Sequence, residues 1–122
     1  MTFENFETIY LTIHEEGTAT VATFQLSRLC DEVNVEQLGH ELISLVEQFG
    51  RRKIVLELTN VEYATSSVLG KLITLHRKLH RDGGKLCLCG LTDPMKTIFR
   101  TSRLINYFEI AEDVDQAVKA VA

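Results

Sequence analysis

Polar and apolar residues along this chain fall into two periods. Residues 8–14 and 18–24 are rich in Ile, Val, Thr and aromatic residues, and Glu15-Glu16-Gly17 separates them, which predicts a β-hairpin. Residues 26–33 read as a connecting loop. Asn34 followed by Gln37 has the spacing of a capping box. Leu38, Leu42, Leu45, Val46 and Phe49 then repeat at helical spacing until Gly50, predicting a first helix. Residues 53–58 predict a strand that is apolar on both faces, interrupted by Glu57. A second helical pattern carries Leu69, Leu72, Ile73, His76 and Leu79 on one side, with Lys71, Arg77, Lys78 and Arg81 mostly elsewhere. Asp82-Gly83-Gly84 ends it. Residues 85–89 repeat the two-sided apolar pattern of a strand inside a helix-covered parallel sheet. Thr92-Asp93-Pro94 starts a third helix with Met95, Ile98 and Phe99 inside. Residues 107–110 predict a short strand, and a last helix from near Asp113 buries Val114, Ala117, Val118 and Val121. After the hairpin, helices and strands alternate to the end, which predicts one α/β domain over residues 1–122 with a largely parallel sheet.

Residues 60–70, N-V-E-Y-A-T-S-S-V-L-G, join the central strand to the second helix, so the hydroxyls of Thr65, Ser66 and Ser67 fall at a helix start. The first amides of a helix lack intrahelical partners, and a Ser or Thr oxygen there can cap them. The same amides and the helix dipole also stabilise an anion, including a phosphoryl group carried by one of these hydroxyls. Two readings follow, a plain N-cap and a phosphorylation site, and one residue can serve both.

Composition narrows the field. The chain has 122 residues, 45% of them hydrophobic and 25% charged, as in a soluble globular protein with a core of its own. A formal charge of -4 gives no reason to expect nucleic-acid binding. No apolar run is long enough to span a bilayer, and residues 1–5, M-T-F-E-N, lack a basic leader region. Cys30, Cys87 and Cys89 form an odd set without a C-x-x-C pair and are expected as reduced, buried thiols of a cytoplasmic protein.

Catalytic chemistry finds little support. Ser66 and Ser67 lack the flanking glycines of a nucleophile elbow. His76 and His80 have a metal-binding spacing, but no H-E-x-x-H pattern or acidic third ligand accompanies them, so no metal or other cofactor is expected. His76 is expected on the core side of its helix and His80 in solvent. Gly83-Gly84 closes a helix instead of opening one, which is not the arrangement of a phosphate-cradling loop. The chain is therefore expected to have no enzymatic activity of its own.

Residues 54–70, I-V-L-E-L-T-N-V-E-Y-A-T-S-S-V-L-G, resemble the signature of STAS domains, named for sulfate transporters and anti-sigma factor antagonists. In that family a buried strand ends in a loop of the type aromatic-x-Asp-Ser-Ser-Gly-Leu-Gly that opens the next helix. Residues 83–91, 94–99 and 104–121 resemble the family's glycine-rich turn and strand, third helix, and closing strand and helix. The resemblance implies an α/β STAS-like fold: a mixed, largely parallel sheet with an N-terminal hairpin and about four helices.

The resemblance also implies a function. In free-standing members an anti-sigma factor that is also a serine kinase phosphorylates the first Ser of the triplet. The unphosphorylated protein binds that kinase and frees the sigma factor, and a cognate phosphatase resets the cycle. Ser66 matches that serine, with Thr65 and Ser67 as alternative acceptors, and Gly70 matches the later glycine. Thr65, Ser66, Ser67, Val68 and Lys71 are the implied partner-binding residues. Thr65 replaces the family's Asp, Val68 its Gly, and Arg103 the Gly that many members have before Leu104. The implied role is transcription control by partner switching. A STAS scaffold that is not phosphorylated, or a ligand-binding or transport-system subunit, is the alternative.

Overall fold

The computed structural model describes residues 10–122. Strands β1 (Leu11–Glu16) and β2 (Ala19–Phe24) form the predicted antiparallel hairpin. Residues 8 and 9 of the predicted first strand lie outside the described residues, and the strand runs on through Glu16. The turn is therefore Gly17-Thr18, with Gly17 at φ +60°, the sign that the first central position of a tight hairpin turn demands.

Helix α1 (Glu32–Glu47) starts earlier than the apolar repeat suggests. Its N-cap is Asp31, whose Oδ1 accepts from the amides of Val33 and Asn34 at 3.0 and 3.3 Å. The predicted capping box at Asn34 and Gln37 lies inside the helix instead. The Asn34 side chain accepts from the Tyr10 hydroxyl, a tertiary contact, and Gln37 donates to Glu41 one turn on in the same helix, so neither side chain caps. Residues 26–33 are also not simply a loop. Arg28–Leu29 forms β3 and pairs in parallel with β5, Tyr63–Ala64.

The main sheet has the order β1-β2-β4-β6-β7, with β4 at Lys53–Glu57, β6 at Lys85–Cys89 and β7 at Glu109–Ala111. All pairings after the hairpin are parallel. Ile54, Val55 and Leu56 of β4 and Cys87, Leu88 and Cys89 of β6 are fully buried, as strands covered on both faces require. The closing strand begins two residues later than predicted. Tyr107 stands in a turn, its amide donating to Leu104 O at 3.0 Å, and is exposed.

The faces of the sheet are unequal. Helices α1, α2 (Ser66–Arg81) and α3 (Asp93–Thr101) enclose the larger core around Leu38, Leu42, Leu56, Leu72, Leu88 and Phe99. Among the described residues, helix α4 (Val114–Val121) alone covers the other face, where Ala117 and Val121 meet Val21, Val55, Cys87 and Cys89. No helix among the described residues is long and apolar enough to cross a membrane.

Candidate functional site

The segment after β4 is fastened from three directions before α2 begins. Leu58 N donates to Cys89 O at 2.9 Å, and Asn60 Nδ2 donates to Phe24 O at 3.1 Å. The Thr92 hydroxyl donates to Val61 O at 2.7 Å, and Val61 is fully buried. The amides of Glu62 and Tyr63 then donate to Ser27 O, and Thr65 N donates to Leu29 O at 3.1 Å. The Arg28 guanidinium lies over the Tyr63 ring at 4.7 Å, a cation–π contact that braces the small β3–β5 sheet. Together these bonds give the hydroxyl triplet a fixed platform.

Thr65 is the N-cap residue of α2 by backbone conformation (φ −79°, ψ 168°), and its carbonyl accepts from Val68 N and Leu69 N. Its side chain makes no capping hydrogen bond, so the expected hydroxyl cap is absent. Ser66 and Ser67 are the first two helical residues and both are exposed, whereas Thr65 is half-buried. Neither serine amide donates to a backbone carbonyl among the described residues. The helix therefore presents two open hydroxyls beside unpaired amides at its positive end.

Val68 departs from the partner-facing position implied by the resemblance. Its side chain is 1% exposed and packs in the larger core with Leu69, anchoring the first turn of α2. A β-branched residue fits there because the side chain turns into the core. Gly70 is exposed, and a Cβ built on it would meet nothing within 4 Å. Lys71 is half-buried. Its Nζ pairs with Glu36 Oε1 at 3.0 Å, and its stem covers Gly39 of α1, where a Cβ would come within 2.7 Å of Lys71 Cδ. Lys71 thus joins α2 to α1 as well as bordering the serines.

A cleft of about 290 Å³ lies beside the triplet, lined by Cys30, Glu32, Val35, Glu36, Thr65 and Ser67. The sequence pattern did not single out its acidic wall, because Glu32 and Glu36 come from α1 and reach the site only through the packing of two helices. Cys30, expected to be buried, is exposed on this wall. Its place between β3 and the Asp31 cap puts it on the rim. Cys87 and Cys89 are buried as expected. Burial pushes the Cys87 thiol up to about 11, aided by Glu109, and the Cys89 thiol up to about 12, aided by Glu57. Neither is a nucleophile at neutral pH.

No described side chain forms a hydrogen bond with the hydroxyl of Thr65, Ser66 or Ser67, so no described base activates them. His76 and His80 stand on the last turns of the same helix, about 15 and about 21 Å of helix rise beyond Ser66. His76 is half-buried and its ring packs on Tyr107 and Phe108; burial and His80 lower its pKa. His80 is exposed, as expected. The described residues contain no cluster of three or more His, Cys, Asp or Glu suited to a metal.

Comparison with known proteins gives this geometry a family. The model of the STAS domain matches residues 5–117. A candidate anti-sigma factor antagonist of Bordetella bronchiseptica, BtrV, is 30% identical over 95 residues, covering 78% of this chain and 81% of the relative. The crystal structure of a candidate anti-sigma factor antagonist from Thermotoga maritima superposes with a TM-score of 0.81 at 16% identity, over 91% of this chain and 93% of that one. The Bacillus cell fate determinant SpoIIAA, solved in its phosphorylated form, superposes with a TM-score of 0.68 at 19% identity, over 92% and 99%. The hairpin, mixed sheet and four described helices follow the arrangement of these structures: the chain belongs to the STAS domain family, with the fold of its anti-sigma factor antagonists.

Proposed function

We propose that this chain is a partner switch of the anti-sigma factor antagonist type, acting in the cytoplasm on transcription. The start of α2 docks on an anti-sigma factor that is also a serine kinase; phosphorylation of Ser66 ends the docking, and a cognate phosphatase restores it. One observation carries the reading. Helix α2 alone among the four described helices has no side-chain cap, and it leaves an exposed Ser66 hydroxyl next to amides without a described partner. A phosphoryl group there gains amide donors and a favourable dipole, so the fold accepts it without rearrangement. At an interface the same group adds roughly -1.5 to -2 charges that must lose their water. BtrV, the relative at 30% identity, bears the same proposed activity in its name, and the Bacillus neighbour carries phosphate on the same fold.

Geometry favours Ser66 over its neighbours. Thr65 is half-buried, and Ser67 shares the cleft with Glu32 and Glu36, whose negative charges disfavour a phosphoryl dianion beside them. Ser66 is exposed and does not line that cleft. Co-expression with anti-sigma factor kinases, intact mass and phosphopeptide mapping test the assignment. Phosphate solely on Thr65 or Ser67 overturns Ser66 as the acceptor. A second reading, a scaffold that binds without modification, draws on Thr65, which supplies no carboxylate beside the acceptor where the family has Asp. Tight partner binding with an unmodified mass under every kinase tried would favour it.

A further inference from the structure

Helix α2 presents a second, different surface at its other end. Between α1 and α2 runs a groove of about 540 Å³ lined by Ile43, Glu47, Thr74, Arg77, Lys78 and Arg81. Lys78 Nζ is held by Glu47 Oε1 at 3.1 Å, which neutralises both. Arg77 and Arg81 are exposed and make no ion pair among the described residues. On a chain of formal charge -4, two unmatched guanidinium groups one helical turn apart make a local positive pole over a half-buried Ile43.

Resting on the docking role proposed above, we infer that this groove receives an acidic, amphipathic segment of the protein partner. An apolar side chain of that segment covers Ile43, and two carboxylates one turn apart meet Arg77 and Arg81. The spacing suits a helix: residues four apart rise about 6 Å, the same on both partners. Guanidinium groups are the better choice for such a contact, because their planar forks bind carboxylates at two points and shed water more readily than ammonium groups. Two unpaired guanidinium groups in one groove of a chain of formal charge -4 are few for a nucleic-acid backbone, which is held by many phosphate contacts.

The charge signs agree with the switch. Ser66 lies eleven residues before Arg77, about 16 Å along the helix. That exceeds the roughly 8 Å Debye length at physiological salt, so a phosphoryl group would leave the arginines' attraction intact. A partner spanning the whole helix is then held at the arginine end and rejected at the serine end. The arginines supply standing affinity and fast association, and Ser66 supplies control.

Two titrations test this on the full chain. The first probe is a synthetic helical peptide with Leu on one face and Glu four residues apart beside it, followed by NMR and fluorescence anisotropy. Shifts should gather at Ile43, Thr74, Arg77, Lys78 and Arg81, and binding should weaken tenfold or more in Arg77→Glu/Arg81→Glu. A Lys-for-Glu peptide should show the opposite preference. Shifts elsewhere, no binding, or equal binding by the double variant overturn the groove. Duplex DNA that competes for the same residues at comparable affinity overturns the acidic-protein occupant. Should the charge reversal disturb folding, Arg77→Gln/Arg81→Gln replaces it. The second probe is the anti-sigma factor kinase of the proposed function. Loss of its binding in the arginine variant but not in Ser66→Asp leaves the groove standing and removes the switch. Loss in Ser66→Asp alone does the reverse.

Discussion

Helices α2 and α3 obey opposite halves of the same rules. Both begin after a strand with a threonine in the N-cap position, at Thr65 and Thr92. Thr92 caps: its Oγ1 accepts from Met95 N at 3.4 Å and donates to Val61 O at 2.7 Å. Thr65 caps nothing with its side chain. At the other ends the roles reverse. Helix α2 closes with Gly83 at φ +79°, Gly83 N donating to His80 O and Gly84 N to Leu79 O at 2.6 Å. Helix α3 closes with the same bond pattern, Arg103 N to Arg100 O and Leu104 N to Phe99 O, but the left-handed residue is Arg103 at φ +61°. Gly takes that conformation freely, and an L-residue with a Cβ does not. Local rules are commonly broken where a site needs it. The broken rule at α2 coincides with exposed hydroxyls and open amides. The broken rule at α3 coincides with an exposed turn that no proposed contact uses.

The largest expected effect separates the two starts. Ser66→Asp should weaken binding to the kinase partner by a hundredfold or more, since an unpaired charge desolvated in an interface costs several kcal/mol. The isolated domain should melt no lower than the parent, because a carboxylate at a helix start is favourable by about 0.3–1 kcal/mol. Titration and thermal unfolding of one preparation check both halves. Binding at parental strength would defeat the charge mechanism. Thr92→Ala should do the opposite, leaving docking alone and lowering stability by about 2 kcal/mol. It removes a cap and deprives the buried Val61 carbonyl of its donor. Chemical denaturation reads this as a lower midpoint at unchanged slope.

Why the contrast between two threonines was not legible follows from those bonds. The order of strands and helices was readable because each long element repeats its apolar residues over several turns or pleats. A cap, by contrast, depends on a third group. Thr92 is oriented by Val61, 31 residues away, and Thr65 is positioned by Leu29 through a two-residue parallel strand. Strands of two residues have no period to detect, so β3 and β5 were missed. The apolar repeat puts the start of α1 too late because Asn34 and Gln37 imitate a capping box while Asn34 serves Tyr10 and Gln37 serves Glu41 one turn on. The inward turn of Val68 and the acidic wall at Ser67 arise only when α1 and α2 pack. What the sequence did carry was the triplet itself, read through its family resemblance.

The strained end of α3 gives a smaller and opposite effect. Arg103→Gly should raise stability by about 1 kcal/mol, since it relieves a left-handed residue whose side chain is exposed and makes no ion pair among the described residues. Part of the gain is offset by the greater freedom of glycine in the unfolded chain. A shift of the unfolding midpoint by a few degrees upward is the expected outcome. A decrease would mean that the Arg103 side chain holds something its geometry does not show.

The smallest effects belong to Thr65, and they bear most directly on the difference between the helices. Thr65→Asp restores the carboxylate that the family places beside the acceptor. It should add about 0.5 kcal/mol through the helix dipole and a regained cap. Glu32 and Glu36 share the cleft with Thr65 and hold that gain down. A second consequence lies at the neighbouring hydroxyl. If the carboxylate takes the free amides, fewer donors remain for a phosphoryl group on Ser66, so kinase binding and phosphorylation stoichiometry should be measured alongside stability. Thr65→Ala should change stability by less than about 0.5 kcal/mol, well under the usual cost of a lost threonine cap, because no cap bond exists to lose. The same substitution at Thr92 serves as the internal standard. If Thr65→Ala proves as costly as Thr92→Ala, the hydroxyl of Thr65 does cap α2 in solution. The two helix starts would then be alike, and the open amides offered to Ser66 would be taken.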